Sequence, residues 1–235
     1  MDYINHKIMR KLVRNILDKL GLLQYFFDIY TWYQNNRTII VNGYNKKDYN
    51  YISLYDTDAD LQTKMFHAKE IARLLHPNKI LIAGCSKGSA VKAFHEIGIE
   101  AWGFDIFALE DKNNLKKYIK QGNLLSIPFS DKDNFDLFLC TDVFEHIYMR
   151  DIPLMVDEIY RLKIEWMAVI IGQGLCDGHV TLKSLKWWDK QFKGKYRRCP
   201  EIKTALRPGV YGLDPSTAKA YFTFWKIIDY KTILT

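Results

Sequence analysis

The stretch Lys79–Ile106 constrains the fold of this chain most, because it holds a complete unit of strand, turn, helix and strand. Residues 80–83 form the apolar run Ile-Leu-Ile-Ala, which suits a strand buried on both faces of a parallel sheet. A turn bracketed by Gly84 and Gly88 follows, and then a helical pattern. Residues 101–104 form a second apolar run. The stretch therefore predicts an α/β fold with parallel strands.

The same stretch has the pattern of a nucleoside site. The backbone N–H groups that begin the helix after Gly88 can bind an anionic group, which the helix dipole also favours. Asp105 ends the second predicted strand, where a carboxylate can accept both hydroxyl protons of a ribose. It follows Gly84 by 21 positions, close to the roughly 20-residue offset of that arrangement. The glycines are not spaced as G-x-G-x-x-G, so the turn fits a dinucleotide pyrophosphate poorly.

Composition and charge narrow the partners and the compartment. The net charge of +7 and the isoelectric point near 9.0 fit an acidic partner such as nucleic acid, anionic lipid or a phosphorylated substrate, and equally fit a solvated basic surface. The cysteines lie far apart without a C-x-x-C pair, which favours a reducing, cytoplasmic compartment over a disulfide framework or a zinc site. We expect no secretory signal, and no apolar run reaches the roughly 18 residues of a membrane span.

We predict that residues 1–60 form an extension and residues 61–235 the main domain. Residues 4–34 have apolar positions at near-helical spacing, basic residues elsewhere and then a dense aromatic stretch, which predicts one or two amphipathic helices. Residues 35–60 are polar and rich in turn residues, and predict a connection. Three roles stay open for the helices: packing on the domain or covering its pocket as a lid, contact with a partner or second copy, and contact with an anionic membrane surface.

A second block of residues follows the first. The run Gly122–Phe129 reads Gly-Asn-Leu-Leu-Ser-Ile-Pro-Phe, and Phe135–Cys140 predicts a buried strand. Asp142, Glu145 and His146 come directly after that strand. Open parallel sheets keep their binding sites at this end of the strands, so we expect these side chains to lie near the turn at Gly84.

The two blocks together resemble the motifs of class I S-adenosylmethionine-dependent methyltransferases of the small-molecule and glycan type. The resemblance covers roughly residues 61–228. It implies a Rossmann-like, doubly wound seven-stranded sheet with one antiparallel strand, here at Tyr221–Ile228, and S-adenosyl-L-methionine as cofactor with S-adenosyl-L-homocysteine as product. Two residues depart from the family pattern: Ile82 stands where an acid is usual, and Ser86 replaces the middle glycine of the turn.

The resemblance also implies which residues form the site. The glycine turn would hold the methionine end of the cofactor, Asp105 the ribose, and Ile106 and Asn123 the adenine side. The whole cofactor-binding set that it implies is Gly84, Cys85, Ser86, Gly88, Asp105, Ile106, Asn123, Leu124 and Thr141.

The catalytic candidates follow the fourth and fifth predicted strands. Asp142 would lie near the reacting centre, and His146 could remove a proton from a hydroxyl as general base. His179 follows a fifth strand predicted at Glu165–Ile171, and is a second candidate base because glycan and small-molecule methyltransferases carry a histidine there. The alternatives are that His146 only orients backbone while Glu145 lies at the surface, and that His179 only holds a carbonyl. We predict no metal.

These observations favour an enzyme that transfers a methyl group to a hydroxyl of a small molecule or sugar, with polysaccharide biosynthesis on surface-glycan precursors as the best interpretation. The fourth strand is not followed by an Asn/Asp-Pro-Pro-Tyr/Phe block and no RNA-binding module is appended, so nucleic acid is an unexpected partner. Quinone or lipid methylation, RNA methylation and a methyltransferase-like binding subunit without turnover stay open, as do a dimer and membrane contact through the N-terminal helix.

Overall fold

The computed structural model describes residues 15–37, 58–106, 115–172, 178–203 and 222–228. Its helices are α1 (Leu23–Arg37), α2 (Asp58–Leu75), α3 (Ser89–Glu96), α4 (Ile152–Arg161) and α5 (Leu185–Phe192). Its strands are β1 (Lys79–Ala83), β2 (Glu100–Asp105), β3 (Ile119–Gln121), β4 (Leu137–Thr141), β5 (Trp166–Ile170), β6 (Tyr196–Arg198) and β7 (Thr223–Ile227). Short 3₁₀ helices lie at Lys116–Tyr118, Asp131–Asp133 and Phe144–His146, and a helical turn covers residues 15–19.

The strands form one seven-stranded sheet in the order β3-β2-β1-β4-β5-β7-β6. Strands β1 to β5 are parallel to one another, whereas β7 pairs antiparallel with both β5 and β6, so β7 alone runs in the opposite direction. This confirms the predicted doubly wound sheet with one antiparallel strand. The order reverses between β1 and β4, which opens a crevice at the carboxyl ends of these strands.

The apolar core lies on both faces of the sheet, as the continuous apolar run of β1 predicts. Successive side chains of a strand point to opposite faces, so Leu81 and Ala83 belong to one buried cluster while Ile80 and Ile82 belong to the other. Helices α4 and α5 cover the first face, and α2 and α3 cover the second. Both faces of β1 are therefore buried, and a ligand can reach this strand at its carboxyl end.

Helix α1 is held against the domain by polar side chains. Asn35 Nδ2 donates to the carbonyl of Val180 (2.7 Å), and its Oδ1 accepts from the N–H of Met149 (2.8 Å). The buried Thr31 hydroxyl accepts from the N–H of Leu182 (2.9 Å) and lies within donating distance of the same residue's carbonyl (3.3 Å). The helix thus ties together the segments that follow His146 and His179.

The element boundaries differ from prediction at the amino end and beside β2. Residues 15–37 are largely helical, whereas the rest of the predicted helices over residues 4–34 and most of the connection over 35–60 lie outside the described residues. Strand β3 was not predicted, because its three residues, Ile-Lys-Gln, form no apolar run at this edge of the sheet. In the part of the chain that the structure describes, no helix has both the length and the apolar character to cross a membrane.

Candidate functional site

A cavity of about 190 Å³ opens at the carboxyl ends of β1, β2 and β4. The structure brings most of the predicted site residues into its wall: Gly84, Cys85, Ser86, Asp105, Ile106, Asn123, Leu124, Thr141, Asp142 and His146. Gly88 does not line the cavity and instead begins α3, while His179 lies beside Glu145. The two sequence blocks, which are separated by the crossover through β3, therefore meet in one site.

Helix α2 contributes a wall of the cavity that the sequence analysis did not identify. Asp60, Lys64 and His67 line the cavity, and their spacing of four and three residues places them on one helix face. Lys64 Nζ lies 3.5 Å from Thr141 Oγ1, which brings a positive charge to the carboxyl end of β4. The helical spacing was visible in the sequence, but only the packing of α2 shows which of its faces meets the cavity.

The turn from Gly84 to Gly88 is shaped for glycine. Gly84 has a φ of +64°, and a Cβ at this position would overlap Val143 Cγ2. Gly88 has a φ of +90°, and a Cβ at this position would lie 2.7 Å from Ile119 Cδ1. The N–H groups of Gly84 and Cys85 both donate to the carbonyl of Phe104, at 2.9 and 3.2 Å, and tie the turn to β2. The backbone at this point can therefore approach a ligand closely.

Asp105 holds the same turn from the end of β2. Its Oδ2 accepts a hydrogen bond from the N–H of Ser86 at 2.9 Å, and Ser86 adopts a left-handed φ of +47°. A carboxylate can accept roughly four hydrogen bonds, so Asp105 can bind two vicinal hydroxyls as well. The buried Ser86 Oγ has no hydrogen-bond partner in the described structure. Such an unsatisfied hydroxyl in a cavity wall is suited to a polar ligand.

The amino end of α3 supplies a site for negative charge. Gly88 is its N-cap, no side chain caps the first turn, and that turn contains no acidic residue. Ser89 and Ala90, the first residues of the helix, line the cavity. The N–H groups and the positive end of the helix dipole are thus directed at the cavity, where Lys64 adds a cation. Together with Asp105, these groups fit a nucleoside that carries an anionic tail.

Asn123, which we predict to contact the adenine, already accepts one hydrogen bond within the chain. Asn123 Oδ1 accepts from the N–H of Leu125 at 2.8 Å, so this amide oxygen stabilises a local turn. Its second lone pair could still accept a bond from an exocyclic amine. Leu124 and Ile106 line the cavity beside it and provide the apolar surface that a purine ring needs.

Glu145, His146 and His179 form a cluster beside the cavity. Glu145 is fully buried, which corrects the alternative that placed it at the surface, and its Oε1 accepts from the N–H of Gly172 at 2.8 Å. His179 Nε2 lies 3.8 Å from the same oxygen. The two imidazole rings meet edge to face with centroids 4.8 Å apart. Of the two candidate bases His146 and His179, the former lines the cavity and the latter does not, so His146 is the better placed.

The environment of the cluster sets its charge. Burial raises the pKa of Glu145 well above its ordinary value, and the nearby Asp142 raises it further. Burial and the neighbouring His179 lower the pKa of His146 to about 4. His146 is therefore neutral near pH 7. Because Nδ1 contacts the carbonyl of Gly178 at 2.9 Å, it must carry the proton, and the lone pair lies on Nε2.

The cluster also brings three potential metal ligands together, one carboxylate and two imidazoles. Glu145, His146 and His179 each offer one ligand atom, and these atoms lie within 4.8 Å of one another, so the described residues include a set that could hold a metal ion. In the sequence, Asp142, Glu145 and His146 resemble a Glu-x-x-Glu-His pattern that can hold a divalent cation in quinone O-methyltransferases, whereas His179 joins Glu145 and His146 only through the fold. Our expectation that no metal is used stays a prediction.

The depressed pKa of His146 predicts a loss of stability in mild acid. The unfolded chain binds the proton near pH 6.5 and the folded chain only near pH 4, so the free energy of unfolding falls as pH drops below about 6.5. Between about pH 7.5 and about pH 5, His146 should account for roughly 2 kcal/mol of this fall. Urea unfolding at both pH values should show a smaller fall in His146→Gln. An equal fall in both proteins would contradict the burial argument.

The sequence of this chain matches a known domain family in part. The family model described as "Methyltransferase domain" matches residues 81–164, a span that runs from β1 to the end of α4 and includes both sequence blocks of the site. A search of curated proteins by sequence finds no match.

Solved structures show the same fold at low sequence identity. The PH0226 protein from Pyrococcus horikoshii OT3 aligns with a TM-score of 0.54 and 14% identity, over 79% of this chain and 100% of that one. The 1,6-didemethyltoxoflavin-N1-methyltransferase from Burkholderia thailandensis, solved with bound 1,6-didemethyltoxoflavin and S-adenosylhomocysteine, aligns with a TM-score of 0.50 and 14% identity. That alignment covers 77% of this chain and 85% of the other.

Proposed function

We propose that this chain, which carries a class I S-adenosylmethionine-dependent methyltransferase domain, transfers a methyl group to a hydroxyl of a small-molecule or sugar acceptor. The observation that carries the proposal is the position of His146. A neutral imidazole lines the same cavity as the glycine turn and Asp105. A hydroxyl is a poor nucleophile until it loses its proton, and a positioned base supplies that step.

The residues of the cavity divide the work of binding the cofactor. The N–H groups of α3, Lys64 and the Ser86 hydroxyl suit the amino-acid end, whose carboxylate is anionic. Asp105 suits the ribose hydroxyls, and the apolar surface near Leu124 suits the adenine. When bound, S-adenosylmethionine supplies a methyl group that is already activated on a sulfonium.

The residues at the end of β4 would then act on the acceptor. His146 Nε2 takes the hydroxyl proton, while Nδ1 keeps its own proton on the carbonyl of Gly178 and so holds the ring in place. Alignment of acceptor and methyl group contributes several kcal/mol as effective molarity, roughly 7–11 kcal/mol at its upper end. Asp142 lines the same cavity as His146 and can orient the acceptor.

Replacing the histidines tests this assignment. We expect His146→Asn to lower kcat about a hundredfold, because the acceptor proton then has no base. We expect a smaller loss in His179→Asn, since His179 does not line the cavity. Radiolabelled methyl transfer would be measured on a panel of nucleotide sugars, quinones and RNA, with cofactor affinity determined by calorimetry for each variant.

The outcomes separate the alternatives. The proposal is supported if the protein methylates a sugar hydroxyl and His146→Asn lowers the rate. Methylation of RNA or of a quinone instead would show that the proposed acceptor class is wrong. Full activity of the double variant His146→Asn/His179→Asn would rule out a histidine base. Cofactor binding without transfer to any acceptor would favour a binding subunit.

The domain boundary, the pathway, the location and the oligomeric state are further parts of the proposal. We propose that residues 61–235 form the methyltransferase domain and residues 1–60 its extension. Polysaccharide biosynthesis, a cytoplasmic location and a dimer remain predictions. Co-purification with enzymes that make the acceptor would test the first, cell fractionation the second, and analytical ultracentrifugation the third.

A further inference from the structure

Helix α1 presents an apolar stripe to solvent. The stripe consists of Leu22, which directly precedes the helix, and of four side chains on α1, and all of them are between 47% and 68% exposed: Tyr25, Ile29, Trp32 and Tyr33. Positions separated by three and four residues share one face of a helix, so these side chains form a continuous surface. Ile16 and Leu20, in the helical turn before α1, are also about half exposed or more.

The orientation of α1 is the reverse of that of an ordinary surface helix. A surface helix turns its apolar stripe toward the core and its polar residues toward water. Here the face opposite the stripe carries Thr31 and Asn35, which hydrogen-bond to the domain, together with the buried Phe27. Because polar bonds already hold the helix in place, the outward stripe is not needed for folding. A contiguous exposed apolar patch of this kind marks a surface that binds another partner.

The charge of the sequence that precedes α1 favours an anionic partner. In the sequence, the residues that lead into α1 include five basic side chains and two acidic ones: Lys7, Arg10, Lys11, Arg14 and Lys19 against Asp2 and Asp18. Two copies of the chain would each carry this basic sequence, and like charges oppose association. An anionic surface would instead attract the basic side chains.

The composition of the stripe favours a lipid surface over a protein groove. Tyr25, Trp32 and Tyr33 are the residue types that concentrate at the boundary between hydrocarbon and water, where an aromatic ring is buried and its polar group stays hydrated. Such helices lie in the plane of the membrane with the apolar face inserted and basic residues at the headgroups.

We propose that the outward stripe of α1 binds an anionic membrane surface. The opposite face of the same helix contacts the segments that follow His146 and His179, so binding would hold the catalytic side of the domain close to the lipid. An acceptor carried on a lipid, or embedded among lipids, would then reach the cavity from the membrane. The membrane contact itself does not depend on the proposed methyl transfer.

Flotation with vesicles tests the contact directly. The full chain would be mixed with vesicles of phosphatidylcholine alone, or of phosphatidylcholine with phosphatidylglycerol. We expect the chain to float with the anionic vesicles, and the double variant Tyr25→Ser/Ile29→Asp to bind them at least about tenfold more weakly. Both replaced side chains are half exposed or more, so the fold should survive, which unchanged cofactor binding in calorimetry would verify.

Leu154→Asp is the matched control, because Leu154 on α4 is as exposed as Ile29 but lies outside the stripe. Binding that this control retains and the double variant loses supports the proposal. Three results would overturn it: no binding to either vesicle, binding that salt abolishes but the double variant does not change, and a dimer that Tyr25→Ser/Ile29→Asp converts to a monomer. The last result would assign the stripe to a second copy of the chain.

Discussion

Replacing Asp105 by alanine is expected to weaken the binding of S-adenosylmethionine by about a hundredfold or more. The Asp105 carboxylate accepts a hydrogen bond from the N–H of Ser86 and lines the cavity, where we propose that it also accepts both ribose hydroxyls. Each hydrogen bond to a charged group contributes about 1.5–3 kcal/mol, and the variant loses at least two of them. It also releases Ser86 from its left-handed conformation, so the turn that carries Gly84 and Gly88 becomes less ordered.

Calorimetric titration with S-adenosylmethionine and S-adenosylhomocysteine would measure the effect. Asp131→Ala provides the matched control, since Asp131 is an exposed carboxylate in a surface 3₁₀ helix and should leave the affinity unchanged. Equal affinities for Asp105→Ala and the wild type would place the ribose elsewhere in the cavity. Binding to neither protein would mean that Ile82 and Ser86 disable the site or that an acceptor or partner must complete it.

Gly172→Ala should distort the cluster of Glu145, His146 and His179 and change the affinity for the cofactor little. A Cβ at Gly172 would overlap Glu145 Oε1 and lie 2.9 Å from His179 Cε1. Either the buried carboxylate or the imidazole must move, and the hydrogen bond from the Gly172 N–H to Glu145 is strained or lost. We expect the free energy of unfolding to fall by about 2–4 kcal/mol. We also expect methyl transfer to fall more than cofactor affinity.

Urea unfolding and calorimetry on the same preparation would separate the two effects. The matched control is Gly98→Ala, because Gly98 has a φ of +80° but no atom within 4 Å of the added Cβ. That variant should lose only the strain of a left-handed residue, about 1 kcal/mol. A Gly172→Ala protein as stable as Gly98→Ala, with unchanged transfer, would show that the cluster adapts and that its geometry is not required.

The part of the site that could be predicted is the part encoded by short-range pattern. Gly84 and Asp105 belong to one strand–turn–helix–strand unit, in which 21 positions of chain leave the two residues little freedom relative to one another. Asp142 and His146 follow β4 directly, and any parallel strand beside β1 delivers its next residues to the same edge. The cavity wall contains all four of these residues, as predicted.

Contacts between distant segments could not be predicted in the same way. Lys64 reaches the cavity only because α2 packs on one particular face of the sheet. Glu145 precedes a histidine on a short turn and had an exposed alternative, yet the chain after β5 closes over it and removes it from water. Strand β3 has too few residues for a periodic signal, and its pairing with β2 defines it.

The sequence by itself determined the parallel sheet, the glycine turn with its acid, and the position of Asp142 and His146 at the end of β4. These depend on backbone conformations and on side-chain periodicity, which neighbouring residues control. Only the tertiary structure decided that Glu145 is buried between Gly172 and His179, and that α1 turns its apolar stripe outward. Both results depend on which segments pack together and exclude water, and these segments are distant in the sequence.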